Sequence, residues 1–126
     1  MLAEQRLRAG LELHPDEPLI ISLQALLHAR RNEPEAALDC VRKSLDVPIT
    51  KGHAHHTYYQ VACVYAMLGQ PVKAMAWLQR SADTGNPCWP FFKLDPHLES
   101  VRREPAFARL VADLEATYTA IKIQRV

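Results

Sequence analysis

Apolar side chains along this chain recur every three or four residues, in stretches a few turns long that end at Pro, Gly or a short polar cluster. That spacing is the period of a helix with one face turned to a core. It predicts seven helices, over about residues 2–14, 18–31, 34–46, 53–68, 71–84, 96–103 and 105–122. No stretch alternates as a strand would. The nine prolines respect this division. Pro18, Pro34, Pro71, Pro96 and Pro105 each open an apolar-periodic stretch, where a fixed φ and a missing N–H are tolerated. Pro15, Pro48, Pro87 and Pro90 fall in connections. Asp16, Asn32 and Asp95 are the expected N-caps, and Gly69 and Gly85 the expected left-handed residues past a helix end. The fourth helix is apolar almost all round (Tyr58, Val61, Ala62, Val64, Tyr65, Leu68) and is expected to be the most buried, covered on both sides.

A second, longer period lies over the first. Ala3, Leu7 and Pro15 recur as Ala37, Val41 and Pro48, and again, after a few extra residues, as Ala74, Leu78 and Pro87. A period near about 34 residues, with a small residue, an apolar one four later and a closing proline, resembles the tetratricopeptide repeat. The segment from His55 to Asn86 matches best: Tyr58, Val61, Ala62 and Tyr65 on its first helix, Ala74 and Leu78 on its second. From Pro18 to Ile49 the match is weaker, because Gln24 and His28 stand where Leu and Tyr are wanted. Small residues at Ala25, Ala37, Ala62 and Ala74 would let paired helices approach closely.

The resemblance implies an all-α, right-handed superhelix of about two and a half repeats with a C-terminal helical cap. Its parts would be a half repeat over 1–15, repeats over 18–49 and 55–87, and a cap over 88–126. The half repeat has two readings, a fragment of a longer array or a native N-terminal cap. The fragment is favoured, because solenoid ends usually carry a polar capping face and no separate cap precedes this helix. Beyond Gly85 the repeat pattern stops. Phe91–Phe92, Asp95–Pro96 and the Arg102–Phe107 step resemble the segment that closes tetratricopeptide regions in many bacterial signalling proteins, among them kinases, cyclases and transcriptional regulators. Trp89, Phe91, Phe92 and Leu94 are expected to plug the end of the solenoid.

Composition narrows the function classes. Fifteen basic residues face fourteen acidic ones, for a net charge of +1, so no basic patch for nucleic acid or an anionic membrane is expected. No apolar run is long enough to span a bilayer, and the start lacks the form of a secretory leader. Cys40, Cys63 and Cys88 read as reduced, buried thiols of a cytoplasmic protein. There is no Gly-x-Ser-x-Gly, phosphate loop or dinucleotide fingerprint. Asp113 and Glu115 read as solvated charges, and neither catalysis nor a cofactor is expected.

In the tetratricopeptide family the first helix of each repeat lines a concave groove. By that pattern the partner-facing residues would be Leu19, Ser22, Leu26, Ala29 and Arg30 on the second helix, and His56, Tyr59, Cys63, Ala66 and Met67 on the fourth. The occupant would be an extended peptide or a partner helix. The alternative is that these residues pack against the terminal segment or a second copy. Family members that grip the acidic tails of heat-shock chaperones use Lys, Asn and Arg here. Ser22, Leu26, Tyr59 and Cys63 supply no such clamp, leaving only Arg30. The first helix carries Leu2, Leu7, Leu11 and Leu13, so self-association through residues 1–14 is a second expectation. A third and weaker one is a metal or small-ligand sensor built on His53, His55 and His56. Its alternative is a solvated helix start.

Overall fold

The computed structural model describes residues 2–47, 54–85 and 89–124, and among these it is all-helical. Its elements are α1 (Leu2–Leu13), α2 (Pro18–Arg30), α3 (Pro34–Asp46), α4 (Ala54–Met67), α5 (Pro71–Thr84), the single turn α6 (Trp89–Phe92), a 3₁₀ helix (Pro96–Val101) and α7 (Pro105–Gln124). No helix among the described residues is long and apolar enough to cross a membrane. Six of the seven expected helices stand close to their predicted bounds. The seventh, expected over 96–103, is a short 3₁₀ helix. The turn at α6 was not anticipated, because four residues hold too little periodicity to read.

Pro18, Pro34, Pro71 and Pro96 each occupy the first turn of their helix. The caps differ from expectation at two places. Glu17, not Asp16, precedes α2, and its carboxylate accepts from Leu19 N at 3.4 Å. Glu33, not Asn32, precedes α3, without a side-chain cap bond. Asn32 instead takes φ +58°, the left-handed place that Gly69 fills at φ +73° in the next hairpin. In both turns the following N–H reaches five residues back, Glu33 N to His28 O and Gln70 N to Tyr65 O, each at 2.9 Å. This Schellman bond closes a helix that ends on a left-handed residue. Gly85 departs from the expected left-handed form: its φ is −154°. Its need for glycine is spatial, since a Cβ there would lie 2.6 Å from His55 Cβ and closer still to the ring.

Turns this short leave no room for a crossover, so α2–α3 and α4–α5 fold back as hairpins. They bury matching residues at an offset of 37, that between Pro34 and Pro71: Ala25 and Ala62, Ala29 and Ala66, Ala37 and Ala74, Val41 and Leu78, Ser44 and Ser81. The small residues sit where the paired helices meet. We therefore expect Ala62→Leu and Ala74→Leu each to destabilise the fold by about 1–3 kcal/mol, the cost of forcing bulk into a close contact. Urea midpoints equal to that of the unmodified chain would show that these contacts have slack.

The core forms two clusters. One joins α2, α3 and α4 around Ile21, Ala25, Val41, Val61 and Val64. The other joins α4 and α5 to the C-terminal elements through Ala62, Leu78, Phe92, Leu98, Val101, Phe107 and Leu110. Leu26, Tyr65 and Trp77 touch both. As its all-round apolarity predicts, α4 lies in the middle, packed on α2, α5 and the 3₁₀ helix. At the other extreme α1 has no buried residue and packs on α2 alone among its substantial contacts.

The aromatic plug forms only in part. Phe92 is buried and Trp89 half-buried, whereas Phe91 (49%) and Leu94 (74%) are exposed. Neighbours along one helical turn point about 100° apart, so of the two phenylalanines only Phe92 meets α4. Arg102 fastens this loop by donating from Nη1 to Phe92 O at 3.0 Å and to Asp95 O at 2.9 Å.

Candidate functional site

Two clefts border the faces expected to receive a partner. The first, of about 520 Å³, lies between α1 and α2 and is lined by Ala3, Glu4, Leu7, Leu23, Leu26, Leu27, Arg30 and Arg31. Its lining is chiefly aliphatic, with the two arginines adjoining. Glu4 pairs with Arg31 across the cleft, while Arg30 is exposed. The second, of about 440 Å³, lies between the end of α4 and the 3₁₀ helix, lined by Ala66, Met67, Pro96, His97, Glu99, Ser100 and Arg103.

The predicted groove residues divide between these places. Leu26 and Arg30 line the first cleft, with Leu19 half-buried on the same helix. Ser22 is not available to a partner: it is buried, and its hydroxyl donates to Leu19 O at 2.7 Å. On α4, Cys63 is also sealed. Tyr59 is stacked beneath Phe92, ring centroids 5.4 Å apart. Ala29 and Ala66 are buried, and Ser100 donates to Ala66 O at 2.7 Å. Met67 lines the second cleft and His56 is exposed. The middle of the α4 stripe, Tyr59, Cys63 and Ala66, is thus covered by the chain's own C-terminal segment, while His56 and Met67 at its ends are not. The α2 half borders an open cleft.

Beneath that cover is a polar cluster. Asp95 is buried. Its Oδ1 accepts from His97 N and lies 2.9 Å from His97 Nδ1. Its Oδ2 accepts a short hydrogen bond from the Tyr59 hydroxyl and lies 3.9 Å from Cys63 Sγ. Burial, reinforced by the hydrogen bond to Asp95, pushes the Tyr59 phenol far above its ordinary range. Burial and the adjacent Asp95 charge likewise push up the Cys63 thiol. Both therefore hold their protons at neutral pH, and Cys63, sealed and protonated, is no nucleophile. Burial raises the Cys40 thiol as well.

In the linear order Asp95 carries the signal of a cap, and His97 carries none of its own. A His two residues past an Asp-Pro cap is a weak local signal. Nothing in the linear order places Cys63, 32 residues away, beside it. Of the histidine triplet, His53 and, among the cysteines, Cys88 lie outside the described residues. His55 is half-buried, and its ring centroid is 4.0 Å from that of His56.

No protein-family model, curated protein or solved structure matches the chain.

Proposed function

We propose that this chain is a non-catalytic protein–protein interaction module of tetratricopeptide type, a right-handed stack of helical hairpins capped by its C-terminal segment. Its partner is a helical or extended segment that presents apolar side chains and a carboxylate. The repeat type is supported by the two hairpins that bury equivalent residues 37 positions apart, with matching turns at Asn32 and Gly69. The observation that carries the binding role is the open α1–α2 cleft, with Leu7, Leu23, Leu26 and Leu27 along it and the exposed Arg30 beside them. Apolar anchors set by helical spacing suit such a channel, and a cation beside it favours an acidic flank. A setting within a larger bacterial signalling protein follows from the resemblance of the closing segment.

Selection of displayed helical peptides on the immobilised chain tests this. The expected winners carry apolar residues at i, i+4 and i+7 with an acidic neighbour. Leu23→Glu and Arg30→Glu together weaken them by at least about tenfold, since a buried charge among apolar anchors costs more than 1.4 kcal/mol, while the helical circular dichroism is unchanged. Peptides that bind the double variant equally well would remove the cleft as the binding face.

A second reading, self-association, is favoured by α1 itself. Leu7 and Leu11 are half-buried against α2, but Leu2 (61%) and Leu13 (75%) face outward. Two copies covering each other at residues 1–14 would bury that edge. Sedimentation is then expected to give a concentration-dependent dimer that Leu7→Glu converts to a folded monomer. A strict monomer at high concentration would eliminate this reading.

A further inference from the structure

We propose that Cys63, Asp95 and His97 form a binding site for a divalent transition-metal ion of the zinc class, set in the joint between α4 and the 3₁₀ helix. The three side chains offer sulfur, oxygen and nitrogen donors, all within 4.8 Å of one another. A tetrahedral ion with bonds of about 2.0 Å to N and O and about 2.3 Å to S holds its donors about 3.3–3.6 Å apart. Nδ1 lies 2.9 Å from Oδ1 and Sγ 3.9 Å from Oδ2, contacts to the two different carboxylate oxygens, so an ion between the three would take one oxygen or both as the side chains turn toward it.

The surroundings are those of a supported ligand set. Asp95 is held by the His97 N–H and the Tyr59 hydroxyl, and each carboxylate oxygen keeps a lone pair for an ion. Outer partners of this kind orient a ligating carboxylate. His97, half-buried, lines the cleft beside Met67, Pro96 and Ser100, so an ion would enter, and a water molecule take the fourth position, from its side of the otherwise buried cluster. Asp95 also caps the 3₁₀ helix, but packing alone does not call for the phenol and the thiol beside it. In the preceding hairpin, 37 residues earlier, the places of Tyr59 and Cys63 are held by Ser22 and Leu26. Burying a carboxylate, a thiol and a phenol together at one joint is costly where apolar side chains would pack.

On binding, the Cys63 S–H bond breaks, the sulfur–metal bond forms, and the proton leaves to solvent. The His97 ring binds through Nδ1 with its proton on Nε2. An ion so held ties α4 to the C-terminal segment across 32 residues of chain.

The test is titration of the full chain with Co²⁺. The expected result is one equivalent bound, with the near-ultraviolet thiolate-to-cobalt band and the strong visible bands of a four-coordinate ion, both displaced by Zn²⁺. Cys63→Ser abolishes the ultraviolet band, and Cys40→Ser and Cys88→Ser retain it. His97→Gln and Asp95→Asn each weaken apparent affinity by at least tenfold, since loss of an outer partner alone costs that much. Lack of a cobalt band in the unmodified chain, or a band surviving Cys63→Ser, overturns the proposal. Should Cys63→Ser fail to fold, unchanged affinity in both His97→Gln and Asp95→Asn overturns it equally. The outcome is independent of peptide binding at the α1–α2 cleft.

Discussion

Phe92→Ala is expected to lower the unfolding free energy by roughly 3–5 kcal/mol, the range for emptying an aromatic core position. Phe92 is 3% exposed, stacks on Tyr59, and belongs to the cluster that joins α4 and α5 to Leu98, Val101 and Phe107. Few neighbours are free to fill the void. On one side stands the small-residue seam of Ala62, Ala66 and Ala74, and on the other a loop pinned by Arg102. Phe91→Ala serves as the control, because that ring is half-exposed and its loss is expected to fall within the small range of ordinary surface substitutions. Urea denaturation followed by circular dichroism makes the comparison. Equal midpoints for the two variants would mean that Phe92 does not anchor the C-terminal segment.

Asp95→Ala is expected to cost about 1.5–5 kcal/mol, through two losses at one residue. The 3₁₀ helix loses its cap, worth about 0.5–2 kcal/mol. The Tyr59 hydroxyl, half-buried under Phe92, loses its acceptor, worth about 1–3 kcal/mol when a polar group is left unsatisfied. The conservative variant separates chemistry from volume. Asn caps a helix as well as Asp does, and its amide can pair with Tyr59, so Asp95→Asn is expected to recover most of the stability. The same substitution is expected to weaken cobalt binding. If Asp95→Asn were as unstable as Asp95→Ala, the carboxylate charge itself would be holding the joint. If Asp95→Ala cost nothing, the cluster would be incidental to the fold.

The helices were legible because their signals are local. Proline at a first turn, a small or left-handed residue at a hairpin, and apolar positions three and four apart each act over one or two turns, within reach of linear reading. The close seams of the two hairpins were legible for the same reason: Ala25, Ala37, Ala62 and Ala74, small residues in the linear order, are all buried. The misread local features were close alternatives. Asp16 and Glu17 compete for one cap, and Asn32 tolerates the left-handed conformation as well as the capping role it was given. Gly85 was misread because its constraint comes from His55, thirty residues away, and no backbone propensity encodes a distant ring.

Which of the expected groove residues stay accessible was only half legible. Helical spacing placed Leu19, Ser22, Leu26 and Arg30 on one stripe of α2 and His56, Tyr59, Cys63 and Met67 on one stripe of α4, but spacing cannot say what else lies on a stripe. The C-terminal segment returns to α4, burying Cys63 beside Asp95 and half-covering Tyr59 with Phe92. The α2 side stays open beside α1.

Linear order was enough to specify an all-helical chain, its paired helices, its small-residue seams and the central burial of α4. These depend on periodicity and on backbone preferences carried by single residues. Only the tertiary structure decided which stripe remained free, which aromatic became core, and that Cys63, Asp95 and His97 would meet. Those depend on how the 3₁₀ helix packs on α4, set by contacts between residues 34 and 36 apart in the chain, Ser100 with Ala66 and Asp95 with Tyr59.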